Sequence, residues 1–261
     1  MIIVDSHAHL FYDEIYKDIK NKLHTATLND VKYILTVSTN EASVRTNIEI
    51  CYNFNNICCS VGVHPHEFRN GYHLEFFKSV LNNKFVVAIG EVGLDYHFKD
   101  STSLEDQKKL FYDMLSLGNL TDLPYIIHAR DCFPDIIDIM KDYNIPNAVF
   151  HCYTDNLENA KRILDLGYYI SFSGVITFKK SVDLREILKY IPNDKILIET
   201  DCPYLAPVPY RGKSNEPVYI RFIAECAAEI KKQSLEEFAK QTTDNFFKLF
   251  SKAGFLLEKS E

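Results

Sequence analysis

The sequence predicts one α/β domain over residues 1–261, folded as a closed (β/α)8 barrel, or TIM barrel. Eight short apolar runs alternate with segments whose apolar residues recur at helical spacing, and this alternation predicts a parallel sheet. The length of 261 residues suits a single barrel of eight such units. An open, doubly wound sheet is the alternative. No Gly-x-Gly-x-x-Gly motif follows an early run, which counts against that alternative.

The eight apolar runs are expected to form the strands. In chain order they are Ile2–Val4, Tyr33–Val37, Ile57–Val63, Phe85–Ile89, Tyr125–Ile127, Ala148–Phe150, Tyr168–Phe172 and Lys195–Ile198. Helices are expected between them, and two begin with a recognisable signal. Ser103-Leu-Glu-Asp and Ser234-Leu-Glu-Glu each place an acid three residues after a serine, which predicts a capping box at a helix N-terminus.

Composition and charge limit the class of protein. No window approaches 18 uncharged apolar residues, so no membrane span is expected, and the N-terminus lacks the basic flank and apolar run of a signal peptide. Seven cysteines, an odd number without a Cys-x-x-Cys pair, fit a reducing compartment, so a cytoplasmic location is expected. A net charge of −7 argues against wrapping a long duplex, but a small substrate or one strand end in a local positive pocket is compatible with it.

Polar side chains follow the predicted strands at their carboxyl ends. In "VDSHAHLFY", Asp5, His7 and His9 lie on alternate positions, which share one face of a strand. Five later runs each end in one such residue: His64 in "VGVHPHEF", Glu91 in "AIGEVGLDYH", His128 in "YIIHAR", His151 in "VFHCYT" and Asp201 in "LIETDCPYL". The carboxyl ends of barrel strands meet at one rim, where barrel enzymes build their sites. We therefore expect these side chains to point into one volume.

The residue types predict a centre of two divalent metal ions. Neutral imidazoles and carboxylates ligate Mg²⁺, Mn²⁺ or Zn²⁺, and four histidines with two carboxylates exceed what one tetrahedral ion needs. In barrel order Glu91 lies between the other ligands, so it is expected to bridge the ions. One ion would bind His7, His9, Glu91 and Asp201, and the other Glu91, His128 and His151. The local charge would remain positive, which favours a phosphate ester over a neutral amide.

Other residues receive simpler interpretations. A histidine at a strand end is more often structural than a ligand, and we interpret four in this way: His24, His66, His73 and His97. Strand alternation turns Cys152 and Cys202 away from the face of the neighbouring ligands, so both are expected in the core. Asp5 and Asp95 are candidates to orient the ligating imidazoles, although Asp95 also fits a plain turn residue after Gly93.

With these residues at the strand ends, the chain resembles the TatD family of metal-dependent deoxyribonucleases, within the amidohydrolase-like barrel superfamily. The matching motifs run through nearly the whole chain in the family's order. They are "DSHAHL" at 5–10, "GVHP" at 62–65, "GEVGLDY" at 90–96, "HARD" at 128–131, "FHCYT" at 150–154, "ETDCPYLAP" at 199–207 and "RGKSNEP" at 211–217. The resemblance implies a metal centre and hydrolysis of DNA phosphodiesters, typically by 3′–5′ exonuclease action. It supports the same six ligands and implies that His64 faces the substrate phosphate.

One position departs from the family's pattern. The family usually has His directly before the "RG" of the last motif, and this chain has Tyr210. A tyrosine donates a hydrogen bond but is not a cation at neutral pH, so the grip on a phosphate is expected to differ. Arg211 and Lys213 are candidate phosphate contacts, with a solvated loop as the alternative; Arg211 is able to contact a phosphate in a bidentate manner.

The expected reaction is attack of a metal-activated water on a phosphodiester at a single-stranded DNA end. Asp201 is expected both to ligate and to accept the proton, while His64 offsets developing charge. Two other functions stay open. One is hydrolysis of a C–N or lactone bond, for which many related dinuclear enzymes use a carboxylated lysine where this chain has Glu91. The other is a barrel that binds a partner without chemistry. The protein is expected to be a monomer or small oligomer.

Overall fold

The computed structural model describes residues 1–97 and 102–259 and contains one eight-stranded parallel sheet. The strands are β1 (Ile3–Ala8), β2 (Val31–Thr36), β3 (Ile57–Val61), β4 (Val86–Asp95), β5 (Tyr125–Arg130), β6 (Ala148–Phe150), β7 (Tyr169–Phe172) and β8 (Ile196–Ile198). Each pairs with the next in chain order. β8 returns to β1, where Ser6 Oγ donates to the Ile198 carbonyl at 2.9 Å and the His9 amide donates to the Cys202 carbonyl at 2.9 Å. The predicted (β/α)8 barrel is confirmed.

Helices connect the strands over the outside of the barrel. Within the described residues the α-helices are α1 (Asp13–Tyr16), α2 (Ile19–Leu28), α3 (Glu41–Asn53), α4 (Leu74–Val80), α5 (Leu104–Leu115), α6 (Asp135–Asp142), α7 (Leu157–Asp165), α8 (Val182–Tyr190), α9 (Ile220–Lys231) and α10 (Leu235–Leu249). The capping box predicted at Ser234 is confirmed. Ser103 caps α5 by accepting from the Asp106 amide at 3.1 Å, but the return bond of a capping box is not seen there. None of the described helices is long and apolar enough to cross a membrane.

The hydrophobic core consists of two clusters, and together they leave open the end of the barrel where the strands have their carboxyl ends. Most apolar residues fill the space between strands and helices. A second cluster fills the barrel at the amino ends of its strands, where Phe246 and Phe250 pack against Val4 and Leu197. Asn245 of α10 fixes this end by donating to the carbonyls of Asn193 and Ile196 at 2.7 and 2.8 Å. The carboxyl ends of the strands are therefore the end available for a site.

Three strands extend further than their apolar runs. β1 continues to Ala8, β4 to Asp95 and β5 to Arg130, so polar side chains are held by strand pairing rather than by loops. The pairing of β4 with β5 places Gly93 opposite His128. A Cβ on Gly93 would lie 2.0 Å from the His128 carbonyl oxygen. Only glycine permits this approach, which brings Glu91 beside His128.

Candidate metal centre

A cavity of about 570 Å³ opens at the carboxyl ends of the strands. Its wall includes five of the six predicted ligands and His64; the five are His9, Glu91, His128, His151 and Asp201. His7 is fully buried and stacks on His151, with ring centroids 4.1 Å apart. The structure thus brings together side chains that are far apart in the sequence, as the strand-end positions predicted.

The first group of ligand atoms surrounds one oxygen of Glu91. His7 Nε2 lies 3.2 Å from His9 Nε2, and both nitrogens face Asp201 Oδ1, at 3.7 and 3.3 Å. The same nitrogens lie 3.5 and 3.6 Å from Glu91 Oε2. Ligands about 2.1 Å from a tetrahedral ion are about 3.4 Å from one another, and these separations match that spacing.

The second group surrounds the other oxygen of the same carboxylate. His128 Nδ1 and His151 Nε2 lie 2.8 and 2.7 Å from Glu91 Oε1, and 3.1 Å from each other. His64 Nε2 lies 3.7 Å from that oxygen. Distances of 2.7–3.1 Å are those of hydrogen bonds, so an ion here would replace a shared proton, as metal binding to histidine ordinarily does. The donor set of imidazole nitrogens and carboxylate oxygens suits a divalent ion.

The buried carboxylate of Glu91 is held in its charged form. Burial alone would raise its pKa, but the charge of His151 and hydrogen bonds from the imidazoles of His128 and His151 keep that pKa well below the usual range. An ionised carboxylate with one oxygen toward each ligand group is the arrangement that a bridging ligand requires.

Groups behind the imidazoles fix the orientation of three of them. His9 Nδ1 lies 3.0 Å from the Val37 carbonyl oxygen, so that nitrogen carries the proton and Nε2 is free toward the pocket. His128 Nε2 lies 3.1 Å from Asp95 Oδ2, which supports the predicted orienting role of Asp95. His151 Nδ1 lies 3.3 Å from Glu199 Oε1. Partners of this kind raise the basicity of a ligating histidine.

Sequence reasoning missed Glu199. Its side chain is fully buried, and it accepts from Ser171 Oγ as well as from His151. The signal was present in "LIETDCPYL", because Glu199 precedes Asp201 by two positions and interrupts an apolar strand. A buried carboxylate inside an apolar strand needs hydrogen-bonding partners, and polar residues at the ends of the neighbouring strands are the nearest candidates.

The predicted role of Asp5 is wrong. Its carboxylate accepts from the amide and hydroxyl of Thr200 at 2.9 and 2.6 Å and from the His7 amide at 3.3 Å, and these bonds involve no imidazole. The pairing of β1 shifts register between Asp5 and Ala8, so strict alternation fails in that stretch. Burial raises the pKa of Asp5 to about 7. Asp5 therefore joins the ends of β1 and β8 rather than supporting a ligand.

The predicted core position of Cys152 is also wrong. Cys152 lies two residues beyond β6 and has a left-handed backbone, with φ of 45°, so strand alternation does not extend to it and its thiol lies in the cavity wall. Its Sγ lies 3.1 Å from Ser173 Oγ. Cys202, by contrast, is fully buried as predicted.

His64 and His66 both lie in the cavity wall. Burial lowers the pKa of His64 to about 3, so its imidazole is neutral and offers a hydrogen bond rather than a positive charge to a phosphate. Its Nδ1 accepts from the His66 amide at 3.2 Å, which leaves Nε2 toward Glu91. His66 Nε2 lies 3.3 Å from Asp95 Oδ2, so this histidine belongs to the site although the sequence suggested a structural role.

The three candidate substrate contacts after β8 lie outside the cavity wall. Tyr210 stacks on Tyr219 with ring centroids 4.1 Å apart, and the Lys213 ammonium lies 5.7 Å from the Tyr210 ring. The Arg211 guanidinium lies 4.3 Å from the Phe178 ring and is exposed. Arg211 and Lys213 are exposed, whereas Tyr210 is half-buried against Tyr219 and Phe222.

A (β/α)8 barrel with imidazole and carboxylate clusters at its carboxyl rim defines a metal-dependent hydrolase. The family model described as TatD related DNase matches residues 4–251. The chain belongs to this TatD family.

Relatives and solved structures agree with that assignment. An uncharacterized metal-dependent hydrolase of Escherichia coli strain K12, YcfH, is 39% identical over 255 residues, covering 96% of each chain. Another from Bacillus subtilis strain 168, YabD, is 36% identical over 253 residues, 95% of this chain and 99% of the relative. The crystal structure of the TatD homologue YjjV from Escherichia coli superposes with a TM-score of 0.90 at 26% identity, covering 95% of this chain and 98% of YjjV.

Proposed function

We propose that this protein hydrolyses DNA phosphodiester bonds, as a 3′–5′ exonuclease acting on a single-stranded end with two divalent ions. The observation that carries the proposal is the position of the Glu91 carboxylate between two groups of imidazoles. Its Oε2 faces His7 and His9, and its Oε1 faces His128 and His151. A carboxylate that presents one oxygen to each of two ligand groups suits a two-metal site, and such sites catalyse in-line displacement at phosphorus. The match to a family described as TatD related DNase supports DNA as the substrate.

The proposed ligands of one ion are His7, His9, Asp201 and Glu91, and those of the other are His128, His151 and the same Glu91. Ions held there, whether Mg²⁺, Mn²⁺ or Zn²⁺, would activate a water for attack and neutralise charge on the phosphate oxygens. Asp201 is the proposed proton acceptor, because its side chain is 12% exposed against 3% for Glu91 and it lines the cavity.

The remaining contacts are proposed for the substrate strand. His64, neutral and in the cavity wall, donates a hydrogen bond from Nε2 to a phosphate oxygen. Arg211 and Lys213 bind phosphates further along the strand, since both are exposed on the segment that follows Asp201. Tyr210 takes the place of the family's His as a neutral donor. Seven free thiols support a cytoplasmic location.

The decisive experiment uses protein stripped of metal and reloaded with each of the three ions separately. Each form is assayed on an end-labelled single-stranded oligodeoxynucleotide, its duplex, the matching RNA, a cyclic amide and a lactone. We expect metal-dependent shortening from the 3′ end of the single DNA strand. Hydrolysis of the amide or lactone with no action on DNA would instead favour a C–N or lactone hydrolase.

A further inference from the structure

Two tyrosines continue the cavity wall outward from the ligand His9. The rings of Tyr12 and Tyr204 lie 5.7 and 6.3 Å from the His9 ring, measured between centroids, and both line the cavity. They meet each other nearly edge to face, at 5.7 Å and 78°. Phe11 packs on Tyr12 at 4.3 Å. The result is an aromatic wall that begins at a proposed metal ligand and ends at the cavity mouth.

Tyr204 is the exposed member of this wall. It is 49% exposed, although a large aromatic side chain gains stability when it is buried. The exposure is not a consequence of a loose loop. Asn215 is fully buried, and its side-chain Nδ2 donates to the carbonyls of Thr200 and Tyr204 at 2.8 and 2.7 Å. Its backbone N–H donates to the Pro203 carbonyl at 2.9 Å. An open aromatic surface is thus held in place beside the reaction site.

We propose that Tyr204, supported by Tyr12, is a stacking platform for a nucleobase of a nucleotide that flanks the scissile phosphate. The inference deepens the proposed function and rests on it. A phosphate at the ligand groups has its sugar and base within reach of a ring 6.3 Å from His9. Every base has a π-face, so stacking recognises a nucleotide without selecting its sequence. The platform makes nucleic acid, rather than a simple alkyl diester, the preferred substrate class.

The proposal predicts that KM depends on the presence of a base. The metal-loaded enzyme is assayed on two 5′-labelled single-stranded oligonucleotides that differ only at the two nucleotides of the cleaved end. One carries bases there and the other carries abasic tetrahydrofuran residues. We expect the wild type to show a KM about 5- to 100-fold lower for the strand with bases. Tyr204→Ala should lose this difference by raising KM only for that strand, and Tyr204→Phe should keep it.

Two controls separate stacking from other effects. Tyr190→Ala removes a tyrosine of similar exposure, 50%, on α8 outside the cavity wall, and should behave as the wild type. Circular dichroism shows whether each variant folds. Equal KM values for the two strands in the wild type would contradict the stacking platform but not the proposed function. The same would follow if Tyr204→Ala raised KM equally for both strands. A wild type that cleaves neither strand would overturn the proposed function as well.

Discussion

At the scale of single residues, the site depends on which ring nitrogen of each histidine faces the cavity. His128 presents Nδ1 to Glu91 because its Nε2 is held by Asp95, whereas His151 presents Nε2 because its Nδ1 is held by Glu199. The supporting carboxylate therefore decides which nitrogen keeps the proton and which is free to ligate. Without these partners the imidazoles would exchange tautomers and orientations.

Glu199→Gln tests this support. The amide removes the negative charge behind His151, so His151 becomes a weaker ligand, and metal affinity or turnover should fall by about 10- to 100-fold. Metal titration and steady-state kinetics measure the two effects. Glu236→Gln changes an exposed glutamate on α10 and serves as the control. Unchanged affinity and turnover in Glu199→Gln would show that Glu199 is only a buried structural group.

Which site residues can be predicted from the sequence depends on the regular alternation of side chains along each strand. His7, His9 and the single polar residues at other strand ends were identifiable because alternation and barrel topology place them on one rim. The positive φ of Cys152 and the register shift after Asp5 interrupt that alternation, and neither has a sequence signal strong enough to read. Glu199 was readable in principle, since a carboxylate inside an apolar strand requires a partner.

At the scale of elements, the junction of β4 and β5 positions the central carboxylate. Gly93 has φ of 145°, and its Cα faces the backbone of His128. The strand with Glu91 can approach β5 this closely only because no side chain intervenes. The longer β4 was not predicted, because its glycines and polar residues end the apolar run at Ile89.

Gly93→Ala should therefore damage both stability and activity. The added Cβ meets the His128 carbonyl oxygen, and the backbone conformation is strained for alanine, at a cost of about 1–3 kcal/mol before the clash is counted. Urea unfolding measures the change. Gly167→Ala provides the matched control, since Gly167 also has positive φ, 79°, but no atom lies within 4 Å of its Cβ position. Equal losses in the two variants would mean that the close approach at Gly93 is unimportant.

At the scale of the whole molecule, net negative charge and a local basic surface act together. The chain carries a net charge of −7, which disfavours association with a long nucleic acid. Arg211 and Lys213 are exposed on the segment that also supplies Asp201 and Tyr204, so they place positive charge on the segment that adjoins the cavity. Under the proposed function, this distribution suits a strand end better than a duplex. The fold itself was predictable from sequence because eight apolar runs separated by helical segments fit few other topologies.

The salt dependence of binding to a single DNA strand should consequently be shallow. About three phosphate contacts give a slope of log affinity against log salt near −2, and Arg211→Ala or Lys213→Ala should each reduce it by about 0.7. Fluorescence anisotropy over a series of salt concentrations measures the slope. Lys240→Ala, an exposed lysine of α10 at the other end of the barrel, should leave it unchanged. A slope between about −4 and −7 would indicate the 6–10 contacts of an extended interface instead.

The central claim is that Glu91 bridges two ions, and metal content tests it most directly. Purified Glu91→Ala, His7→Ala and His128→Ala are compared with the wild type by elemental analysis, with circular dichroism as a folding control. We expect two ions per chain in the wild type. His7→Ala and His128→Ala should each lose mainly one, because each removes a ligand from one group, whereas Glu91→Ala should lose both. Two ions retained in Glu91→Ala, with both lost in His128→Ala, would contradict the bridge.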